Sequence, residues 1–264
     1  VKGNAAAVDA ALSSCAVTVD AVFETQVQTH SAMETHGVVA HWESTDKLTV
    51  WASTQGTFSV RDELANVFKL PKTNVRVITE YMGGGFGAKF GAGVYGIAAA
   101  KLAKIAGAPV RLMLDRKEEH IAAGNRPNAI QKLRLGANAQ GQIQAIKLIA
   151  HGTAGIGTGA GCDGPAMNLY FTVPNKYSEQ YDVFTHAGAG AAFRAPGHPQ
   201  GTFALEQAVD ELAYKLHMDP LVLRRINSKT DTVRLAEYDI GAKRFGWENR
   251  ATQPATDKGP IKRG

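Results

Sequence analysis

Two cysteines, Cys15 and Cys162, are all that this 264-residue chain contains, and neither stands in a CxxC pair. That excludes a disulfide framework and a zinc ribbon, which both need several cysteines at short spacing. No apolar run approaches the roughly 20 residues that span a bilayer, and no signal-peptide pattern is read at the first residues. Aromatics make up only 8% of the chain and are nowhere interleaved with a basic run, so a nucleic-acid surface has little support. The formal net charge of +5 does not alter this, because Arg244, Arg250, Lys258, Lys262 and Arg263 gather the excess toward the end of the chain. Val1 opens it in place of Met and the turn-rich "DKGPIKRG" closes it, a pattern expected of a fragment or a processed subunit.

What the chain does have is glycine. Its 28 glycines cluster at 83–96, 152–164 and 186–201 without a period, which implies close approach of backbone to a ligand, or tight loops. A hydrophobic content of 44% supports a sizeable core, arranged as one large domain or two packed subdomains. The run "TFSVRDELANVFKLP" reads as a helix with Ser59 as N-cap and Pro71 closing it. "NVRVITEYM" reads as a half-buried strand, "AGVYGIAAAKLAKIAG" as a helix ending at Gly107, and "APVRLMLD" as a second, buried strand. Two alternating runs flank Gln140-Gly141 as a hairpin, and "YSEQYDVFTHAG" is a further strand. "TFALEQAVDELAYKL" places its apolar residues at helical spacing. "DPLVLRRIN" starts a helix with Asp219 as N-cap and Pro220 at the first helical position, and "RLAEYDIGAKRFGW" forms a last one. Residues 1–20 show no convincing period. Mixed strands, helices and hairpins predict an α+β or mixed α/β fold, with layered sheets and helices on them.

The stretch "GGGFGAKF", residues 83–90, lies between a strand and a helix, as a dinucleotide-binding loop does. Glycines admit a pyrophosphate, the helix N-terminus supplies free N–H groups, and Asp115 ends the next strand as a ribose-binding acid would. That acid lies further along than the roughly 20 residues usual for such sites. A Walker-type loop is excluded, because Lys89 is preceded by Ala88 and followed by Phe90 where Gly and Ser or Thr are needed. On residue chemistry alone, a dinucleotide site and a purely structural loop remain equally open. Phe86 is bulky for a pyrophosphate loop, and a second loop, "AAFRAPGHPQG", carries an aromatic, an Arg and a helix start, as though two loops converge on one ligand.

Taken together, "HSAMETHGVVAHWE", "STQGTFSVRDELANVFKLP", "EYMGGGFGAKF" and "AAFRAPGHPQGTFALEQAVDELAYKLHMDPLVLRRIN" resemble, in order, the molybdenum-cofactor-binding subunit of the xanthine dehydrogenase and aldehyde oxidoreductase family. The resemblance runs from about residue 20 to residue 250. It implies a lead-in segment at 1–24, a molybdopterin-binding region at 25–250 (subdomains 25–150 and 151–250 if it is divided), and a connector at 251–264 to a missing C-terminal part. Members hydroxylate a carbon next to nitrogen or oxygen with water as the oxygen source. The implied cofactor is Mo-molybdopterin, as the cytosine dinucleotide common in bacterial relatives, with 2Fe-2S clusters and FAD on partner subunits or domains. The implied partners are the rest of the molybdenum subunit, an iron–sulfur subunit, an FAD subunit and a small-molecule substrate. The expected compartment is the cytoplasm, or the periplasm if the subunit is exported folded with a partner.

The resemblance assigns cofactor roles to Gln55 in "STQ", to Gly85, Phe86 and Gly87 in the glycine loop, and to Arg194 in the second loop. The substrate pocket departs from purine-oxidising members, which place Glu where Phe90 stands, Arg near Cys162, and a ring-sandwiching Phe at Pro196. Aldehydes or aromatic N-heterocycles are therefore the expected substrates. The family's general-base Glu falls beyond this chain, and neither Glu34 nor Glu206 matches it, so no catalytic residue is assigned and the chain alone is expected to be inactive. His30, Glu34 and His36 have the alternating spacing of a metal triad on a strand, but a structural hydrogen-bonding role is preferred, because the resemblance holds the metal through the pterin. Cys162 could line a substrate channel, though a lone cysteine is more often a small loop or core residue, and His198 reads as preparation for the helix that follows it.

Overall fold

The computed structural model describes residues 1–157, 159–250 and 259–260. Most of the expected connector at 251–264 lies outside the described residues. Two sheets organise the chain. The first contains β1 (Lys2–Gly3), β2 (Val17–Thr25), β7 (Ala129–Ala137), β8 (Ile143–Gly155) and β9 (Asn175–Phe184), in the order β1-β9-β8-β7-β2. The second contains β3 (Gly37–Trp42), β4 (Leu48–Ala52), β5 (Val75–Ile78) and β6 (Val110–Met113), in the order β5-β4-β3-β6. Both sheets mix parallel and antiparallel pairs: β8 with β9 and β4 with β5 run parallel, and the other neighbours are antiparallel. The expected mixed α/β layering is what forms.

In the first sheet Ala129, Leu133, Leu135 and Ala137 of β7 alternate inward with period two, as a strand covered on one face must. The helix α6 (His198–Lys215) covers that face with Ala204, Leu205, Ala208, Val209 and Leu212, all 1% exposed or less. On the opposite face Ala145 and Tyr177 meet Val8 and Leu12 of α1 (Ala5–Ser13). The second sheet turns Val38, Ala40, Leu48, Val50 and Val75 inward. These pack on Val60 and Leu64 of α2 (Thr57–Phe68) and on Ala99, Ala100 and Ala103 of α3 (Gly93–Ala106). Alanine at these positions lets α3 lie close to the sheet. Four helices complete the chain: α4 (Arg116–Ala122), α5 (Gly164–Asn168), α7 (Pro220–Asn227) and α8 (Thr232–Phe245).

The hairpin turns at Gly141, whose φ is 79°, and α7 starts as expected, with Asp219 accepting from the Leu221 and Val222 N–H groups. Two local expectations fail. The helix α2 begins at Thr57 after Gly56, so Ser59 lies inside it and caps nothing. Strand β6 is an edge strand without a fully buried residue. The first 25 residues form β1, α1 and β2, which carried no clear signal because α1 is alanine-rich on every side. The second sheet is set between β2 and β7 of the first, and β8 runs across residue 150.

Candidate cofactor site

Three segments meet at the seam between the sheets. The first leaves β4 and carries Ser53, Thr54 and Gln55 into α2. The second is the glycine loop after β5. The main-chain N–H of Gln55 donates to the Lys89 carbonyl at 2.7 Å, and the Thr54 hydroxyl donates to the same oxygen at 2.9 Å. In return the Gln55 Oε1 accepts the N–H groups of Gly87 at 2.7 Å and Lys89 at 3.4 Å. A Cβ on Gly85 would come within 2.4 Å of that Oε1, so only glycine allows the carboxamide to lie against the loop.

The third segment is the loop before α6. Its Arg194 N–H donates to the Phe86 carbonyl at 2.7 Å, and the Arg194 guanidinium stands 5.8 Å from the centre of the Phe86 ring. A Cβ on Gly87 would meet the Ala192 carbonyl oxygen at 2.5 Å, and Gly87 has a φ of 111°. Phe86 and Ala195 also hold positive φ, 53° and 59°. Such backbone costs about 1–3 kcal/mol per residue and persists where surroundings over-determine it.

The surroundings do so here. Arg126, 6% exposed, donates from one Nη to the Arg194 carbonyl at 2.8 Å, and from the other to Gln200 Oε1 at 3.3 Å and the Ala195 carbonyl at 3.5 Å. Its guanidinium lies 4.6 Å from the centre of the Phe193 ring. His30 Nε2 donates to the Ala192 carbonyl at 2.7 Å, and its ring packs on Phe193. Burial pushes the His30 pKa below the ordinary value, because protonation would add an N–H at Nδ1, which has no acceptor.

The five residues expected to hold a cofactor therefore come together, and their chemistry suits one. The N–H groups of Gly84, Gly85 and Phe86 have no protein acceptor among the described residues. Gln55 is exposed and its Nε2 donates to no described group. Arg194 is exposed and forms no ion pair among the described residues. This set of donors without described acceptors fits an acceptor-rich group such as a pterin bearing phosphate.

Of the residues expected in a substrate pocket, Phe90 and Pro196 lie on the same two loops and Cys162 lies in the core. Cys162 is 1% exposed, its N–H donates to Gln180 Oε1 at 3.0 Å, and burial pushes its thiol up to about 12. It is a core residue rather than a channel lining. Pro196 lines a cavity of about 210 Å³ together with Arg126, Phe193 and Gln200, while Phe90 is half exposed on the glycine loop. His198 is the first residue of α6. Glu206 binds the Tyr170 hydroxyl at 2.9 Å and Arg224 at 2.6 Å, and so is engaged in holding helices.

The dinucleotide reading is corrected by two carboxylates. The N-terminus of α3, where a pyrophosphate would sit, is capped by Glu63, whose Oε2 accepts the Ala92 N–H at 2.6 Å. Asp115 is the N-cap of α4 in a capping box with Glu118 and offers nothing to a ribose. Nor does β5-α3-β6 build a unit of adjacent parallel strands, since β5 and β6 are opposite edges of the sheet.

His30, Glu34 and His36 lie in the irregular segment before β3 and are separately engaged. His36 Nε2 donates to the Ala88 carbonyl at 3.3 Å, and the His36 N–H donates to Glu119 Oε2 at 3.1 Å. Glu34 accepts from the Gly83 N–H at 2.6 Å and the Ser53 hydroxyl at 2.8 Å. Lys89, Ser53, Glu119 and Arg126 are the supporting residues that sequence reasoning missed. Their partners are main-chain atoms or side chains far away in sequence, which no local pattern marks.

The Molybdopterin cofactor-binding domain model matches residues 1–228. The chain is 35% identical over 260 residues to the aldehyde oxidoreductase molybdenum-binding subunit PaoC of Escherichia coli O157:H7, covering 93% of this chain and 35% of that protein. It is 30% identical over 243 residues to the nicotinate dehydrogenase large molybdopterin subunit of Eubacterium barkeri, covering 88% of this chain and 56% of that one. Among solved structures, quinoline 2-oxidoreductase from Pseudomonas putida 86 superposes with a TM-score of 0.77 at 25% identity, over 86% of this chain and 30% of that chain. The chain thus spans about a third of the length of PaoC. With its three loops converging as described, it belongs to the molybdopterin cofactor-binding domain family of the xanthine dehydrogenase and aldehyde oxidoreductase type.

Proposed function

We propose that this chain is the part of a molybdenum hydroxylase that grips one side of Mo-molybdopterin, in its cytosine dinucleotide form, for oxidation of aldehydes or aromatic N-heterocycles. The observation that carries the reading is the convergence of Gln55, Gly87 and Arg194 through the 2.7 Å bonds that tie the glycine loop to both neighbours. Names of relatives support both substrate classes: PaoC is an aldehyde oxidoreductase, and nicotinate and quinoline are N-heterocycles. Phe90 and Pro196 take the place of polar or stacking contacts to a purine, with Cys162 a buried neighbour.

When bound, the cofactor supplies the redox and oxygen-transfer chemistry. The residues of this chain bind and orient it. Gln55 Nε2 and the N–H groups of Gly84, Gly85 and Phe86 donate to its acceptors, and the Arg194 guanidinium supplies positive charge. The family resemblance puts the proton-accepting Glu in a segment other than this one, within hydrogen-bond reach of the group it deprotonates, and Glu34 and Glu206, both engaged elsewhere, do not take that role. Electrons pass to 2Fe-2S clusters and FAD on partner subunits or domains, and the complex works in the cytoplasm, or in the periplasm if it is exported folded. Residues 25–250 are the cofactor-binding region, 1–24 its lead-in, and 251–264 a connector. No helix among the described residues is long and apolar enough to cross a membrane.

Metal analysis and pterin fluorescence of the purified complex test this. Molybdenum and pterin in equal amounts are expected; bound NAD or FAD without molybdenum overturns the reading. A screen of benzaldehyde-like aldehydes and N-heterocycles against purines then ranks the substrates.

A further inference from the structure

Among the described residues, Lys89 is the largest side chain with no solvent exposure at all. A buried ammonium is costly unless its donors are all engaged, and here they are. Its Nζ donates to the Glu34 carbonyl at 2.7 Å, the Ser53 hydroxyl at 2.7 Å and the Thr35 carbonyl at 3.4 Å, with Glu34 Oε2 at 3.6 Å. The same Oε2 accepts the Gly83 N–H and the Ser53 hydroxyl. Glu34 thus holds the first residue of the glycine loop by its N–H, and its main chain and carboxylate both face the Lys89 side chain near the end of that loop. Ser53 bridges the pair and lies two residues before Gln55. The loop cannot shift relative to Gln55 without breaking this knot.

We propose that Lys89, Glu34 and Ser53 form a positioning triad that sets the distance between the Gln55 carboxamide and the glycine loop, and so determines whether the cofactor is retained. This rests on the proposed molybdopterin function. Lys89 is enclosed, and Glu34 Oε2 is occupied by its N–H and hydroxyl donors. Burial pulls the Lys89 pKa down, opposed by Glu34 and Glu119. Burial also raises that of Glu34, but the Gly83 N–H, the Ser53 hydroxyl and Lys89 outweigh it and the net shift is downward. Glu34 is thus ionised at neutral pH, and the Lys89 Nζ faces its carboxylate at 3.6 Å.

The test uses the full subunit in its native complex, with molybdenum and pterin measured after gel filtration. Lys89→Met keeps the bulk and removes the charge. Val75→Ala opens a cavity in the core of the same sheet, away from the loops, and serves as a control of comparable loss in Tm. Lys89→Met is expected to lower both contents roughly tenfold, with Val75→Ala within about twofold of wild type. Wild-type content in Lys89→Met, or an equal loss in Val75→Ala, overturns the triad. If Lys89→Met fails to assemble, Ser53→Ala, which removes one donor to Glu34 and one acceptor of Lys89, is read by the same criteria. A wild-type complex lacking molybdenum would instead overturn the parent reading and the triad with it.

Discussion

Gln55 Oε1 accepts the Gly87 N–H at 2.7 Å, so the residue that closes the glycine loop spends its oxygen on the protein and leaves its nitrogen without an acceptor among the described residues. Two substitutions separate these duties. Gln55→Glu retains an acceptor for Gly87 but replaces the free donor, and should lower molybdopterin content roughly tenfold with Tm near wild type. Gln55→Ala loses both and should lower content and Tm together. Equal cofactor content in wild type and Gln55→Glu would contradict the assignment.

Gly87→Ala places a Cβ 2.5 Å from the Ala192 oxygen at a φ of 111°. Backbone strain alone costs about 1–3 kcal/mol, and relief requires the glycine loop and the Arg194 loop to part. Loss of cofactor is expected together with faster amide exchange at Arg194, whose N–H bonds to Phe86; unchanged exchange there would count against the contact.

Removing the Arg126 side chain leaves the Arg194 carbonyl without its 2.8 Å donor. Charged hydrogen bonds of this kind contribute about 1.5–3 kcal/mol each, so Arg126→Met should lower Tm by roughly 5–10 °C. Arg126→Lys, which has a charge but no fork to hold the Arg194 carbonyl and Gln200 at once, should fall between. A Lys variant as stable as wild type would show that charge rather than geometry matters.

The thiol of Cys162 is pushed up to about 12 by burial and by Asp163, leaving ~0.01% thiolate at pH 8. Maleimide labelling of the folded complex should spare it, and mass spectrometry should find it modified only after denaturation. Rapid labelling in the native state would restore it to an accessible channel.

His30 has its pKa lowered chiefly by burial. As pH falls below the ordinary value of 6.5, the unfolded chain takes up the proton first, and stability declines until the folded pKa is reached. Above 6.5 the contribution is constant. Tm measured between pH 7.5 and 5.5 should fall less steeply in His30→Gln than in wild type; parallel slopes would exclude His30 as the source.

Much of this architecture was readable in residue order. Gly107, Gly141 and the Asp219-Pro220 pair marked ends and starts where they occur, because each acts within one turn. Gln55, Phe86 and Arg194 were found through a resemblance covering whole motifs, whereas the glycine loop taken alone was ambiguous. Its ambiguity had a cause. A strand-loop-helix order does not reveal that Glu63, on a different helix, already occupies the α3 N-terminus. Arg126 escaped notice for a related reason, because a cation that pairs with carbonyls leaves no complementary acid in the sequence, and Lys89 meets Glu34 only across 55 residues. Cys162 was placed by its spacing from a motif, and spacing does not say how deeply a side chain is buried.

The second sheet leaves the first after β2 and rejoins it at β7, and these two strands are paired neighbours. Just beyond them Gln28 and Arg126 exchange main-chain hydrogen bonds of 3.2 and 2.9 Å. The intervening hundred or so residues are therefore a cassette whose two ends emerge side by side, the arrangement in which inserted segments are best tolerated. Gln55 and the glycine loop travel with that cassette, while Arg194 stays with its host. Exchanging it between relatives would create hybrid grips, one jaw from each parent, with Arg126 at the joint.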